Sequence, residues 1–96
     1  MKLDMDKYLA AMSPPILVLN GVEYKATALL TFNDAVRLQQ QLADSKSGDA
    51  ILAVAKEVCD LVGVPSEVVT ALPGGAVMKV VAGFFESAYQ QPDESA

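Results

Sequence analysis

VPSEVVTALPGGAVMKVVAGFFESAY, residues 64–89, is the stretch around which the rest of the chain must be arranged. Pro65 suits a first helical turn, because its missing N–H would lack an intrahelical partner there anyway. The spacing of Val68, Val69 and Leu72 predicts a short helix over 65–72 with those side chains inward. Pro73-Gly74-Gly75 reads as a break, a flexible helix-to-helix turn. Val77, Val80, Val81, Phe84, Phe85 and Ala88 then recur at helical spacing, with Met78 and Tyr89 alongside. A helix with so broad an apolar face needs several partners.

Upstream, Ile51, Leu52, Val54, Ala55, Val58, Cys59, Leu61 and Val62 leave only a narrow polar edge at Lys56, Glu57 and Asp60. A helix apolar on most of its circumference is central. Ser47 or Asp49 can cap its start, and Gly63 fits the left-handed position that closes it. Before the polar break Ser45-Lys46-Ser47-Gly48, a helix opens at Thr31. The Thr31 hydroxyl can cap it, and Asp34 meets the positive end of the helix dipole. This helix is expected to reach about Ala43 with Phe32, Ala35, Val36, Leu38 and Leu42 inward. Gln39, Gln40 and Gln41 are expected on its solvated face.

Asn20-Gly21 separates two strand-like runs, Ile16–Leu19 and Val22–Ala26. That dipeptide is a strong hairpin signal, because both central residues of a type I′ turn take positive φ. Val22, Tyr24 and Ala26 should share one face, with Glu23 and Lys25 on the other. A lone hairpin is marginal in water. It must pack on helices or pair its edge with a strand of another subunit. Met5, Tyr8, Leu9 and Met12 suggest a short amphipathic helix ended by Pro14-Pro15. It either packs on its own domain or forms an arm whose flexible Met side chains reach a neighbour. The fold class expected is α+β: an N-terminal β-hairpin packed on a bundle of about four to five mostly short helices. The chain should be a single domain, with a helical arm over 1–14, a body over 15–90 and a disordered polar tail over 91–96.

Composition narrows function by exclusion. The 96 residues are 52% apolar and only 20% charged, with net charge −5 and no His. So much apolar surface on a small domain points to a subunit interface, hence a homo-oligomer. An acidic surface disfavours nucleic acid and basic-patch membrane binding. No apolar run approaches the roughly 18–20 residues of a bilayer span. The first residues, MKLDMDKYLAAM, alternate charged with apolar residues and do not read as a signal peptide. The single Cys excludes an internal disulfide, which suits a reducing cytoplasm.

Without His there is no imidazole base for any Ser, nor for Cys59, which reads as a buried structural thiol. Gly74-Gly75 is not a phosphate loop, since no GxxxxGK[ST] surrounds it. Asp44-Ser45-Lys46 lacks the Leu of an acyl-carrier attachment site, and Lys46 opposes the acidic face a carrier presents. No enzyme, cofactor or metal is expected.

The hairpin ILVLNGVEYKA, the helix after Thr31 and Val64, Pro65, Glu67, Val68, Val69, Leu72, Pro73, Phe84 and Phe85 together resemble the tail assembly chaperones of phages with long, non-contractile tails. The resemblance spans roughly residues 16–90 and is carried by apolar spacing and punctuation. It does not include the N-terminal helix or the acidic tail. It implies a protein that self-associates and coats the long, hydrophobic tape measure protein in the host cytoplasm, and that is absent from the mature virion. It also implies a frameshift-extended form of the same chain. On this resemblance Met78, Val81, Phe84, Phe85 and Tyr89 are candidates for partner or subunit contacts, and the Met-rich face of the N-terminal arm adds Met5, Tyr8 and Met12. Each of them has monomer packing as its other role. Two other expectations remain: a small virion component such as a tail completion or connector subunit, and an acidic inhibitor or antitoxin.

Overall fold

The structure is a computed structural model, and it describes residues 2–91. Its elements run α1 (Met5–Ala11), β1 (Ile16–Leu19), β2 (Val22–Lys25), α2 (Phe32–Asp44), α3 (Gly48–Val62), α4 (Ser66–Thr70) and α5 (Gly74–Tyr89). The fold is α+β, a two-stranded antiparallel hairpin joined to short helices, as the sequence predicts. The disordered tail expected over 91–96 lies, apart from Gln91, outside the described residues.

Local chemistry accounts for the element boundaries. Asn20 and Gly21 take φ of 52° and 78°, the type I′ pattern. The register pairs Leu19 with Val22, Leu17 with Tyr24 and Ile16 with Lys25. Thr31 Oγ1 accepts from the Asp34 N–H at 3.1 Å and opens α2. Ser47, of the two candidates, caps α3 by accepting from the Ala50 N–H at 3.3 Å. Gly63 closes α3 at φ 83° and donates to the Cys59 carbonyl at 2.9 Å.

Two expectations change. Gly74 and Gly75 do not form a flexible turn; they are the first residues of α5, behind the cap residue Pro73. The N–H groups of Ala76 and Val77 donate to the Pro73 carbonyl at 2.9 and 3.0 Å, so the helix is hydrogen-bonded from its first turn. First-turn N–H groups need no partner within the helix, and two glycines are tolerated there by a helix whose later turns are packed. The second change is in α2. Ala35, Leu38 and Leu42 centre its inward arc, whereas Phe32 is 72% exposed and Val36 is also exposed. At 100° per residue these two positions stand roughly 90° and 130° from the middle of that arc.

The core is built on α3, which contributes Val54, Ala55, Val58, Cys59 and Val62. Ala35 and Leu38 of α2, Val69 of α4 and Val81, Phe84 and Phe85 of α5 close around it. Among the described residues no polar or charged residue is buried. The hairpin is tied on by backbone. The N–H groups of Thr27 and Ala28 donate to the Val62 carbonyl at 2.8 and 3.3 Å, satisfying an acceptor at the end of α3. Ala26 and Leu30 are buried beside that junction, while Leu17 and Tyr24 pack half-buried on the core. On the surface Arg37 bridges Asp34 of α2 and Glu57 of α3 at 3.2 and 2.6 Å. This is an exposed pair, a positioning contact and not a main source of stability.

Candidate functional site

The largest apolar concavity described is a groove of about 540 Å³ between β1 and α5. Its strand wall is Ile16–Leu19, and its helix wall includes Ala76, Val80, Gly83 and Phe84, with Leu72 at one end. Lys79 and Glu86 stand on its rim. Its depth comes partly from Gly83: a Cβ placed there meets no atom within 4 Å. Glycine inside a helix costs roughly 1 kcal/mol relative to alanine. Here it leaves open space along the floor, and the Ser87 hydroxyl donates to the Gly83 carbonyl at 2.9 Å.

β1 is apolar on both faces. Leu17 turns toward the core, while Ile16 and Val18 turn outward at 55% and 62% exposure. Its outer edge is open as well. The Ala26 N–H donates to the Pro15 carbonyl at 3.0 Å, which makes those two residues a hydrogen-bonded pair. Pairs alternate along an antiparallel ladder. Leu17 and Leu19 therefore bond to β2, and the N–H and C=O groups of Ile16 and Val18 point away from it. Exposed edges of this kind are templates for further pairing.

The eight contact candidates do not form one cluster. Val81, Phe84 and Phe85 are core residues at 1%, 4% and 6% exposure, so in the folded chain they hold α5 in place. Phe84 alone of the three also lines the groove. Met78 and Tyr89 are exposed on α5. The Tyr89 ring meets Phe32 edge-on with centroids 6.3 Å apart, and its hydroxyl donates to Gln39 Oε1 at 3.3 Å. Met5 is exposed, and Tyr8 and Met12 are half-buried, on or next to a helix that buries none of its own residues. Met12 lines a separate cavity of about 280 Å³ with Leu29, Ser87 and Gln90.

Sequence reasoning missed Ile16, Val18, Lys79 and Gly83 as groove residues. The signal for the first two was present in Ile16–Leu19, four apolar residues without the polar alternation of a strand that buries one face only.

Cys59 is fully buried, and burial pushes its thiol up from 9.0 to about 11, with the charge of Asp60 adding to the effect. At pH 8 native Cys59 should therefore resist iodoacetamide and react readily once denatured. Labelling at similar rates in both states would contradict the burial. The folded chain keeps this proton to about pH 11, whereas the unfolded chain releases it near 9.0. Cys59 thus contributes stability that is complete below about 9 and is lost as the pH rises through about 11. Among the described residues no group of three or more His, Cys, Asp or Glu side chains gathers to hold a metal ion. No described helix is long and apolar enough to cross a membrane.

Compared with family models, curated proteins and solved structures, the chain matches none.

Proposed function

We propose that this chain is a binding protein that shields apolar surface on a partner, and that it serves phage tail assembly as a chaperone of the tape measure protein. The observation that carries the proposal is the hairpin, whose outward face presents Ile16 and Val18 to solvent on a small acidic domain. Apolar side chains in that position supply affinity for a long amphipathic partner, and net charge −5 keeps the complex in solution. The resemblance over residues 16–90 supplies the identity of the partner. The chain self-associates, works in the cytoplasm of the bacterial host without catalysis, and leaves before the virion is complete. A frameshift-extended form shares its N-terminal residues.

Co-expression with the tape measure protein of the same genome tests this. Wild-type chain should hold that protein in the soluble fraction and co-purify with it. The complex should survive about 1 M salt, where the Debye length is only about 3 Å. The double variant Ile16→Lys/Val18→Lys should stay folded, because both side chains face solvent, yet lose the partner. Failure of the wild type to co-purify would contradict the proposal. Dissociation in high salt would point instead to a charge-driven inhibitor of a basic partner.

A further inference from the structure

We infer that the β1 edge and the groove beside α5 form a two-fold interface with a second copy of this chain, joining two hairpins into one four-stranded sheet. The inference specifies the self-association in the proposal above and rests on it in that respect only.

The backbone selects the register. On the free edge only Ile16 and Val18 present both N–H and C=O outward, because Pro14 has no N–H and Asn20 belongs to the turn. An antiparallel pairing that uses both residues of both copies has Ile16 facing Val18 of the second copy and Leu17 on the axis. It makes about four new backbone hydrogen bonds. Shifting by two residues toward the turn brings Asn20 into the ladder and loses half of them; shifting the other way sets Val18 against Pro14, which accepts but cannot donate, and leaves each Val18 carbonyl unpaired.

Charge complementarity identifies the occupant as a second copy. Lys79 and Glu86 both line the groove from α5, seven residues and about 10.5 Å apart along the helix and close to one side of it. Among the described residues neither has an ion-pair partner. A two-fold axis between them sets each Lys79 against Glu86 of the other copy, so the surface is complementary to itself. The inward-facing Leu17 and Leu19 of the second strand would then enter the groove over Gly83, where the missing side chain leaves room. Pairing also brings the outward Ile16 and Val18 of both copies into one apolar strip, which doubles the surface offered to a partner.

Sedimentation equilibrium of the purified chain tests the inference. The wild type should be a dimer with a dissociation constant in the range of about 1–100 µM, as suits a small interface. Gly83→Leu should leave the circular dichroism spectrum and melting temperature of the monomer intact or improved, since Leu favours helix over Gly. It should weaken the dimer at least about tenfold by filling the groove. Lys79→Glu alone should weaken it by a similar factor, because the introduced carboxylate faces Glu86 of the other copy. Adding Glu86→Lys should restore wild-type association. A monomeric wild type, a Gly83→Leu variant that dimerises normally, or a charge swap that fails to restore association would each overturn the inference. If the wild type is monomeric and Gly83→Leu instead abolishes tape measure capture, the groove takes that partner and not a second copy. A dimer that captures no tape measure protein would uphold the inference and refute only the functional proposal.

Discussion

Replacing Phe85 by Asp should abolish the folded state. Phe85 is 6% exposed and lies in the single cluster formed by α2, α3, α4 and α5. Truncating a buried Phe costs about 3–5 kcal/mol, and an unpaired carboxylate in the same place costs several more. That sum is comparable with the whole stability of a small domain, about 5–15 kcal/mol. Far-ultraviolet circular dichroism should therefore show loss of helix and no cooperative melt at 25 °C. Phe85→Leu, which retains an apolar side chain of smaller volume, should remain folded with a lower melting temperature. A Phe85→Asp variant that retained its helix signal and lost only self-association would place the ring at a surface, contrary to the packing described here.

Gly63→Ala should cost about 2–3 kcal/mol, from two separable causes. The backbone there has φ 83°, a conformation that costs an L-residue about 1–2 kcal/mol. A Cβ at Gly63 would also collide with Thr27 Oγ1 and approach Thr27 Cβ to 3.2 Å. Thr27 cannot yield freely, because its N–H donates to the Val62 carbonyl at 2.8 Å in the junction that holds the hairpin to α3. At roughly 4–8 °C per kcal/mol for a domain of this size, the melting temperature should fall by about 10–20 °C. In a Thr27→Ala background the same substitution should cost about 1 kcal/mol less, since most of the collision is gone while the backbone strain remains. Equal costs in both backgrounds would show that the hairpin is not seated against the end of α3.

These two residues illustrate what could be read from the sequence. The roles of Gly63, Asn20-Gly21 and Thr31 depend on local backbone geometry, so the residue types alone indicate them. The burial of α3 was legible for a related reason, because a helix apolar nearly all round has few other places to go. The position of Phe32 depends on which arc of α2 meets α3 and α5, and that is decided by residues distant in sequence. Gly74 and Gly75 carried a turn signal that the packing of later turns of α5 overrode. The groove was the hardest to foresee. It arises where β1 passes α5, elements more than fifty residues apart in sequence, and its floor is marked by the absence of a side chain at Gly83. Of the eight contact candidates, Val81, Phe84 and Phe85 stand out in the sequence by the same apolar character that puts them in the core. Periodicity alone could not separate such core positions from a surface stripe.

On the proposed function the chain binds other proteins during assembly and does not stay with the product. An immunoblot with intact mass, on lysate from producing cells and on purified particles, tests it most directly. Abundant chain is expected in the lysate, together with a longer product sharing its N-terminal residues, and none in the particles. Chain present in purified particles in fixed proportion to the tail proteins would contradict it and identify a structural component of the virion.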